Sequence, residues 1–147
     1  MSYVFLEHTA DVKFRAEGSS LEEMFRSCAD ALNETIRGEI KILEQVQKEI
    51  VVEGKDLEEL LYNFLEEFLV MLDSEGFLVA SVKEIKIDLE DGGRRMEDGK
   101  GYKIKCVVVG DKAENYKFTN DVKAVTYSEM YVREADKGWE CQVVLDV

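Results

Sequence analysis

The spacing of apolar residues changes along the chain, and each change marks an element. Tyr3-Val4-Phe5-Leu6 is an unbroken apolar run and reads as a short buried strand. Val12, Phe14 and Ala16 then alternate with Lys13, Arg15 and Glu17, the period of a half-buried strand. Gly18-Ser19-Ser20 closes it, and the spacing turns helical: Leu21, Met24, Phe25, Cys28 and Leu32 share one face. This helix runs to Gly38. Ser20 and Glu23 have the spacing of a capping box, in which the N-cap hydroxyl and the N3 carboxylate each satisfy a free backbone N–H. Glu49-Ile50-Val51-Val52-Glu53 is a short strand closed by Gly54. Asp56, with Glu59 at N3, caps a second helix, where Leu57, Leu60, Leu61, Phe64, Leu65, Phe68, Leu69 and Leu72 form a broad stripe. Core packing accounts for that stripe better than a cofactor pocket does.

After Gly76 the period is two to the end. Ile85, Ile87 and Leu89 alternate with charged residues, and Tyr102, Ile104, Cys106 and Val108 do so again across a long glycine-rich hairpin loop, 91–101. Gly110-Asp111 reads as a turn. Asn120–Ser128 reads as a loop that leads into a strand at Met130, with Lys123 in solvent. Met130-Tyr131-Val132 and Cys141–Leu145 flank the turn Asp136-Lys137-Gly138. Two helices followed by hairpin-linked strands predict an α+β sandwich, with the helices on one face of a mainly antiparallel sheet. No repeat or linker divides residues 1–147, which read as a single domain.

Charge narrows the function classes. The formal net charge is -13, from 32 acidic and 19 basic residues. Phosphate contacts need clustered Lys and Arg, so direct nucleic-acid binding is not expected. The surface instead favours a basic partner. Cys28, Cys106 and Cys141 are odd in number, far apart and set in apolar patterns, as expected of reduced core thiols. No leader and no membrane-length apolar run is present, so a cytoplasmic location is expected.

Catalytic devices are scarce. His8 is the only histidine, so no Cys–His or multi-His metal site is expected within one chain. A lone His beside a strand end is more often a structural hydrogen-bonding residue than a base. The glycines at 92, 93, 99 and 101 precede no helix that would bind phosphate. One constellation stands apart. Glu7-His8-Thr9-Ala10-Asp11 lies between two strands, and the chain closes as Val143-Val144-Leu145-Asp146-Val147. If the first and last strands lie side by side, Asp11, Asp146 and the α-carboxylate of Val147 can converge into an all-oxygen site for a hard cation. The plainer alternative is a turn Asp and a solvated terminal Asp.

Three segments together resemble the archease family: Glu7-His8-Thr9-Ala10-Asp11-Val12, Val122-Lys123-Ala124-Val125-Thr126-Tyr127 and Val144-Leu145-Asp146-Val147. The resemblance extends over the whole chain. It implies an α+β fold built on a strand–helix–strand–strand unit with an inserted module. It further implies an accessory protein, not an enzyme, that serves RtcB-type RNA ligases in tRNA splicing and repair. Such proteins promote the ligase–guanylate intermediate, support multiple turnover and broaden nucleotide use. By the same resemblance a divalent cation, Ca²⁺ or alternatively Mg²⁺ or Mn²⁺, is held by Asp11, Asp146 and the chain end at Val147, and Lys123 acts in activation. Many archaeal members carry His after the Thr-Tyr pair where this chain has Ser128, so no role carries over to that position. Two other classes compete: a stand-alone metal-dependent hydrolase using Asp11 and Asp146, and a general chaperone with a broad exposed apolar patch.

Overall fold

The structure is a computed structural model that describes residues 2–8, 10–90, 101–119 and 122–147. The expected glycine-rich loop therefore lies, apart from Gly101, outside the described residues. The elements are β1 (Ser2–Leu6), β2 (Val12–Gly18), α1 (Leu21–Arg37), β3 (Val46–Gly54), α2 (Leu57–Glu75), β4 (Phe77–Glu90), β5 (Gly101–Lys112), a 3-10 turn (Ala113–Asn115), β6 (Ala124–Ala135) and β7 (Gly138–Asp146). The α+β class is as expected, and every strand pair is antiparallel. The strands form two sheets: a four-stranded one ordered β1-β2-β7-β6 and a three-stranded one ordered β3-β5-β4. Each helix touches both sheets, α1 through β2 and β4, α2 through β3 and β6. The core is accordingly one cluster in which Phe14 and Val143 of the larger sheet, Met24, Phe25, Leu61 and Phe64 of the helices and Ile50, Ile104 and Val108 of the smaller sheet are all buried.

Both helices start as their sequences predict, with one difference. Ser20 Oγ accepts from Glu23 N–H at 3.1 Å, and Asp56 Oδ1 accepts from Glu59 N–H at 2.7 Å. The N3 carboxylates reach one residue further back than a capping box requires, to Ser19 N–H and Lys55 N–H. Gly38 and Gly76 end the helices with positive φ. All three cysteines are free and buried, as expected. Burial raises the Cys106 thiol to about 12 and pushes Cys28 up as well.

Three expectations need correction. The run Tyr3–Leu6 is not a buried strand: β1 lies at the edge of its sheet, with Val4 52% and Phe5 39% exposed. The stretch before Met130 is not all loop: Ala124, Val125 and Thr126 pair with Asp146, Leu145 and Val144. Here a register break between Thr126 and Tyr131 interrupts the alternation that would have revealed the strand. Gly110-Asp111 is not a turn. Both residues lie inside β5, where Gly110 is opposite Val46 on one side and Val79 on the other. A Cβ at Gly110 would overlap the Leu78 carbonyl, so the glycine is there for close backbone approach. Gly110→Ala is expected to cost about 1–3 kcal/mol through overpacking, lowering the thermal midpoint by about 4–12 °C. An unchanged midpoint in a calorimetric scan would show that the strands have room to separate.

Candidate metal centre at the strand ends

The site is assembled by sheet register. Val12 is opposite Leu145 in the β2–β7 ladder, so one further step places Asp11 across from Asp146. On the other side of β7, Asp146 pairs with Ala124 of β6. Lys123 N–H donates to the Asp146 carbonyl at 2.7 Å, extending that ladder by one bond. Asp11, Asp146 and Lys123 thus gather at one end of three adjacent strands. Val122, Val125 and Leu145 are buried beside them and pin this end to the core. Val147 follows directly and packs partly against the same core. Ala10, with φ of 74°, lies in the bend that places Asp11 immediately before β2. Thr9, Asn120 and Asp121 lie outside the described residues.

The donor set suits a cation. Among the described residues no hydrogen-bond donor contacts the carboxylate of Asp11 or Asp146. The nearest cationic candidate is His8, whose Nδ1 lies 3.9 Å from Asp11 Oδ2, beyond hydrogen-bond reach. That Nδ1 is buried and has no hydrogen-bond partner. Two acceptor-only carboxylates without donors, at the ends of neighbouring strands, are ligands of the kind a hard cation takes. They are not sufficient by themselves. Among the described residues no three His, Cys, Asp or Glu side chains stand close enough to hold a metal. Completing the set takes the α-carboxylate of Val147 or oxygens from a bound partner. Lys123 is exposed, and its ammonium has no carboxylate within ion-pair distance among the described residues.

His8 takes the structural role anticipated for it, through a partner that sequence reasoning missed. Its Nε2 is 3.0 Å from Glu129 Oε2, and Lys13 Nζ is 3.0 Å from Glu129 Oε1. The bonds from His8 and then Lys13 hold the Glu129 carboxyl below its ordinary range. Glu129 reaches both because it sits in the register break of β6 with φ of 55°, its carbonyl accepting from Gln142 Nε2 at 2.9 Å. The same break sends Tyr127 the other way, where it stacks on Tyr62 of α2 with ring centroids 4.3 Å apart. The signal in the sequence is faint: Ser128-Glu129 falls where an apolar alternation should continue.

The class is a two-sheet α+β fold that gathers two carboxylates and an exposed lysine at one strand end, with its single histidine tied to Glu129. Comparison with known proteins places it further. The model of the archease protein family (MTH1598/TM1083) matches residues 3–147. The archease of Pyrococcus abyssi is 42% identical over 96% of this chain and 95% of its own, and that of Methanosarcina mazei 36% identical over 99% and 95%. The solution structure of Methanobacterium thermoautotrophicum protein 1598 superposes with a TM-score of 0.75 at 25% identity, covering 99% of this chain and 98% of that one. An archease from Thermotoga maritima, described as a "possible chaperone", shares the fold with a TM-score of 0.60 at 20% identity over 97% and 94%. The chain belongs to the archease family. No helix among the described residues is long and apolar enough to cross a membrane.

Proposed function

We propose that this protein activates an RtcB-type RNA ligase in tRNA splicing, promoting ligase guanylation and multiple turnover without catalysing a reaction itself. The observation that carries the reading is the convergence of Asp11, Asp146 and Lys123 at one strand end, where among the described residues the only ionic contact is His8 Nδ1 at 3.9 Å from Asp11. Asp11 and Asp146, completed by the Val147 carboxylate, would hold a divalent cation, Ca²⁺ in the first instance. Such a cation supplies a fixed positive charge that attracts and orients phosphate oxygens. Lys123 adds a second, mobile positive charge beside it. The two together offset the chain's -13 at the one place where a triphosphate or a guanylated ligase residue approaches. The test is guanylation of the cognate ligase with and without this protein. An equal rate in both arms would defeat the reading, whereas turnover of phosphate esters by the protein alone would favour the hydrolase. A general chaperone needs a contiguous apolar patch. The exposed large apolar residues are spread over β1 (Val4, Phe5), the approach to β3 and β3 itself (Ile40, Leu43, Val46, Val51), α2 (Val70), β4 (Leu89) and β6 (Tyr127).

The protein alone is expected not to retain tRNA. With net charge -13, a phosphate backbone is repelled everywhere outside the small cationic end. Gel-shift titration at about 0.15 M salt checks this, and tight salt-sensitive retardation without ligase would contradict it.

A further inference from the structure

Two sheets have four edges, and three of them are closed by helix side chains. Along β4, Arg26 and Arg37 of α1 donate to the carbonyls of Val82, Val79 and Ala80, and Glu22 accepts from Ile87 N–H at 3.2 Å. β4 also carries two register shifts. Along β6, Glu58 of α2 accepts from Val132 N–H at 3.2 Å, and the strand is broken between Thr126 and Tyr131. Along β3, Asn63 of α2 donates to the Glu53 carbonyl at 2.8 Å, and Lys48 and Glu49 supply charge. These are the devices that keep a strand edge from pairing with another chain.

β1 has none of them. Its five residues, Ser2 to Leu6, are uncharged and unbulged, in a chain of which 35% is charged. It is held by the ladder with β2, by side-chain bonds from Ser2 and Tyr3, by the edge-on contact of Phe5 with Phe14 and by packing against α1. Among the described residues nothing bonds to the backbone on its outer side. Val4 and Phe5 are left exposed.

We propose that β1 accepts an additional strand: an extended segment of a partner protein in which Lys or Arg alternates with β-branched apolar residues. The main chain of β1 would supply the pairing, and its two faces the selectivity. On the helix side, Tyr3 donates to Glu34 Oε1 at 2.6 Å, and Asp30, Glu34 and Glu39 line a recess beside it with Arg37 the single cation. Added residues pointing that way meet predominantly negative charge. On the opposite face Val4 and Leu6 stand beside Arg15 and Lys13, whose charges are taken up by Glu140 and Glu129, so added residues pointing there meet an apolar strip and are best β-branched and uncharged. Self-pairing of β1 is disfavoured by the same features: it brings two chains of net charge -13 together with their acidic recesses on the same side of the joined sheet. β1 is at the opposite edge of the sheet from β6, so Val4 can be changed without touching Lys123.

The probe is acetyl-KVKVKVK-amide, titrated into the isotope-labelled full chain and followed by amide resonances, with acetyl-EVEVEVE-amide as the charge-reversed control. The basic peptide is expected to shift the resonances of Tyr3 to Leu6, to slow hydrogen exchange of the outward amides of β1, and to saturate below about 1 mM. The acidic peptide should not bind. Val4→Lys places a guarding charge on the exposed face of the edge and should weaken the peptide at least tenfold, while ligase stimulation stays unchanged. No shift at β1, equal binding of both peptides, or shifts centred elsewhere would each overturn the proposal. So would β1 amides that are already protected in a chain sedimenting as a dimer, which would make the occupant a second copy.

Discussion

Asp11→Asn and Asp146→Asn are each expected to weaken divalent-cation binding severely and to remove ligase stimulation in parallel. Each change keeps the shape of the side chain and removes one of the few anionic oxygens available at the strand ends. Loss of an outer-shell partner alone costs roughly 10–100-fold in metal affinity, and loss of a direct carboxylate ligand should cost no less. At about a hundredfold the change corresponds to about 2.7 kcal/mol. The fold should tolerate it. The Asp11 side chain is 36% exposed, Asp146 is exposed, and neither carboxylate accepts a hydrogen bond from a described residue. What Asp146 contributes to the sheet is its carbonyl, which takes the Lys123 N–H and is untouched by the substitution. Calorimetric titration of Ca²⁺ into wild type and both variants measures the effect, with Mg²⁺ and Mn²⁺ as comparisons. Equal affinity in all three proteins would sink the site. A version carrying extra residues after Val147 asks a separate question: retained affinity there removes the Val147 carboxylate from the ligand set.

How much of this could be read from the residues depends on whether the cause was local. The helices were legible because their causes are local: the stripe from Leu57 to Leu72 and the Ser20 and Asp56 caps act within a few residues. So was the β6–β7 hairpin, whose strands run to Ala135 and from Gly138. The neighbouring positions of Asp11 and Asp146 were anticipated for the wrong pair of strands: the first and last strands, β1 and β7, are not adjacent, and it is β2 that lies beside β7. β1 was misread because four apolar residues in a row look the same whether a strand is covered on both sides or left at an edge; coverage is a property of the sheet order. Gly110 was misread for a related reason. A glycine marks a turn or a close approach equally well, and the Leu78 carbonyl that decides between them is 32 positions away in sequence. The splitting of the strands into two sheets rests on α1 and α2 each touching both, which no periodicity encodes. Glu129 was invisible as the partner of His8, since 121 positions separate them and it sits in the broken register of β6.

Lys123→Ala is expected to leave the fold intact and to lose most of the stimulation of ligase guanylation. The structural task of this position belongs to its backbone, since Lys123 N–H donates to the Asp146 carbonyl and alanine retains that donor. The side chain is exposed and has no described ionic partner, so its removal should cost at most about 0.5 kcal/mol and move the thermal midpoint by about 2 °C. Activity is another matter. A positive group aimed at developing phosphoryl charge in a site closed off from water by a bound ligase contributes far more than the same group in solvent. Loss of one such electrostatic donor elsewhere costs about 10²–10³ in rate. A fall of at least tenfold in stimulation is therefore expected. Lys123→Arg keeps the charge but replaces a compact ammonium with a planar fork of different reach, so partial stimulation should survive. The control must be a lysine with no other task. Lys48 is unsuitable, being 2.5 Å from Glu75 and set over the Phe77 ring. Lys137 is exposed in the turn between β6 and β7, at the far end of both strands from Lys123. If Lys123→Ala stimulates the ligase as well as Lys137→Ala does, the ammonium is an ordinary surface charge, and activation must rest on the carboxylates alone.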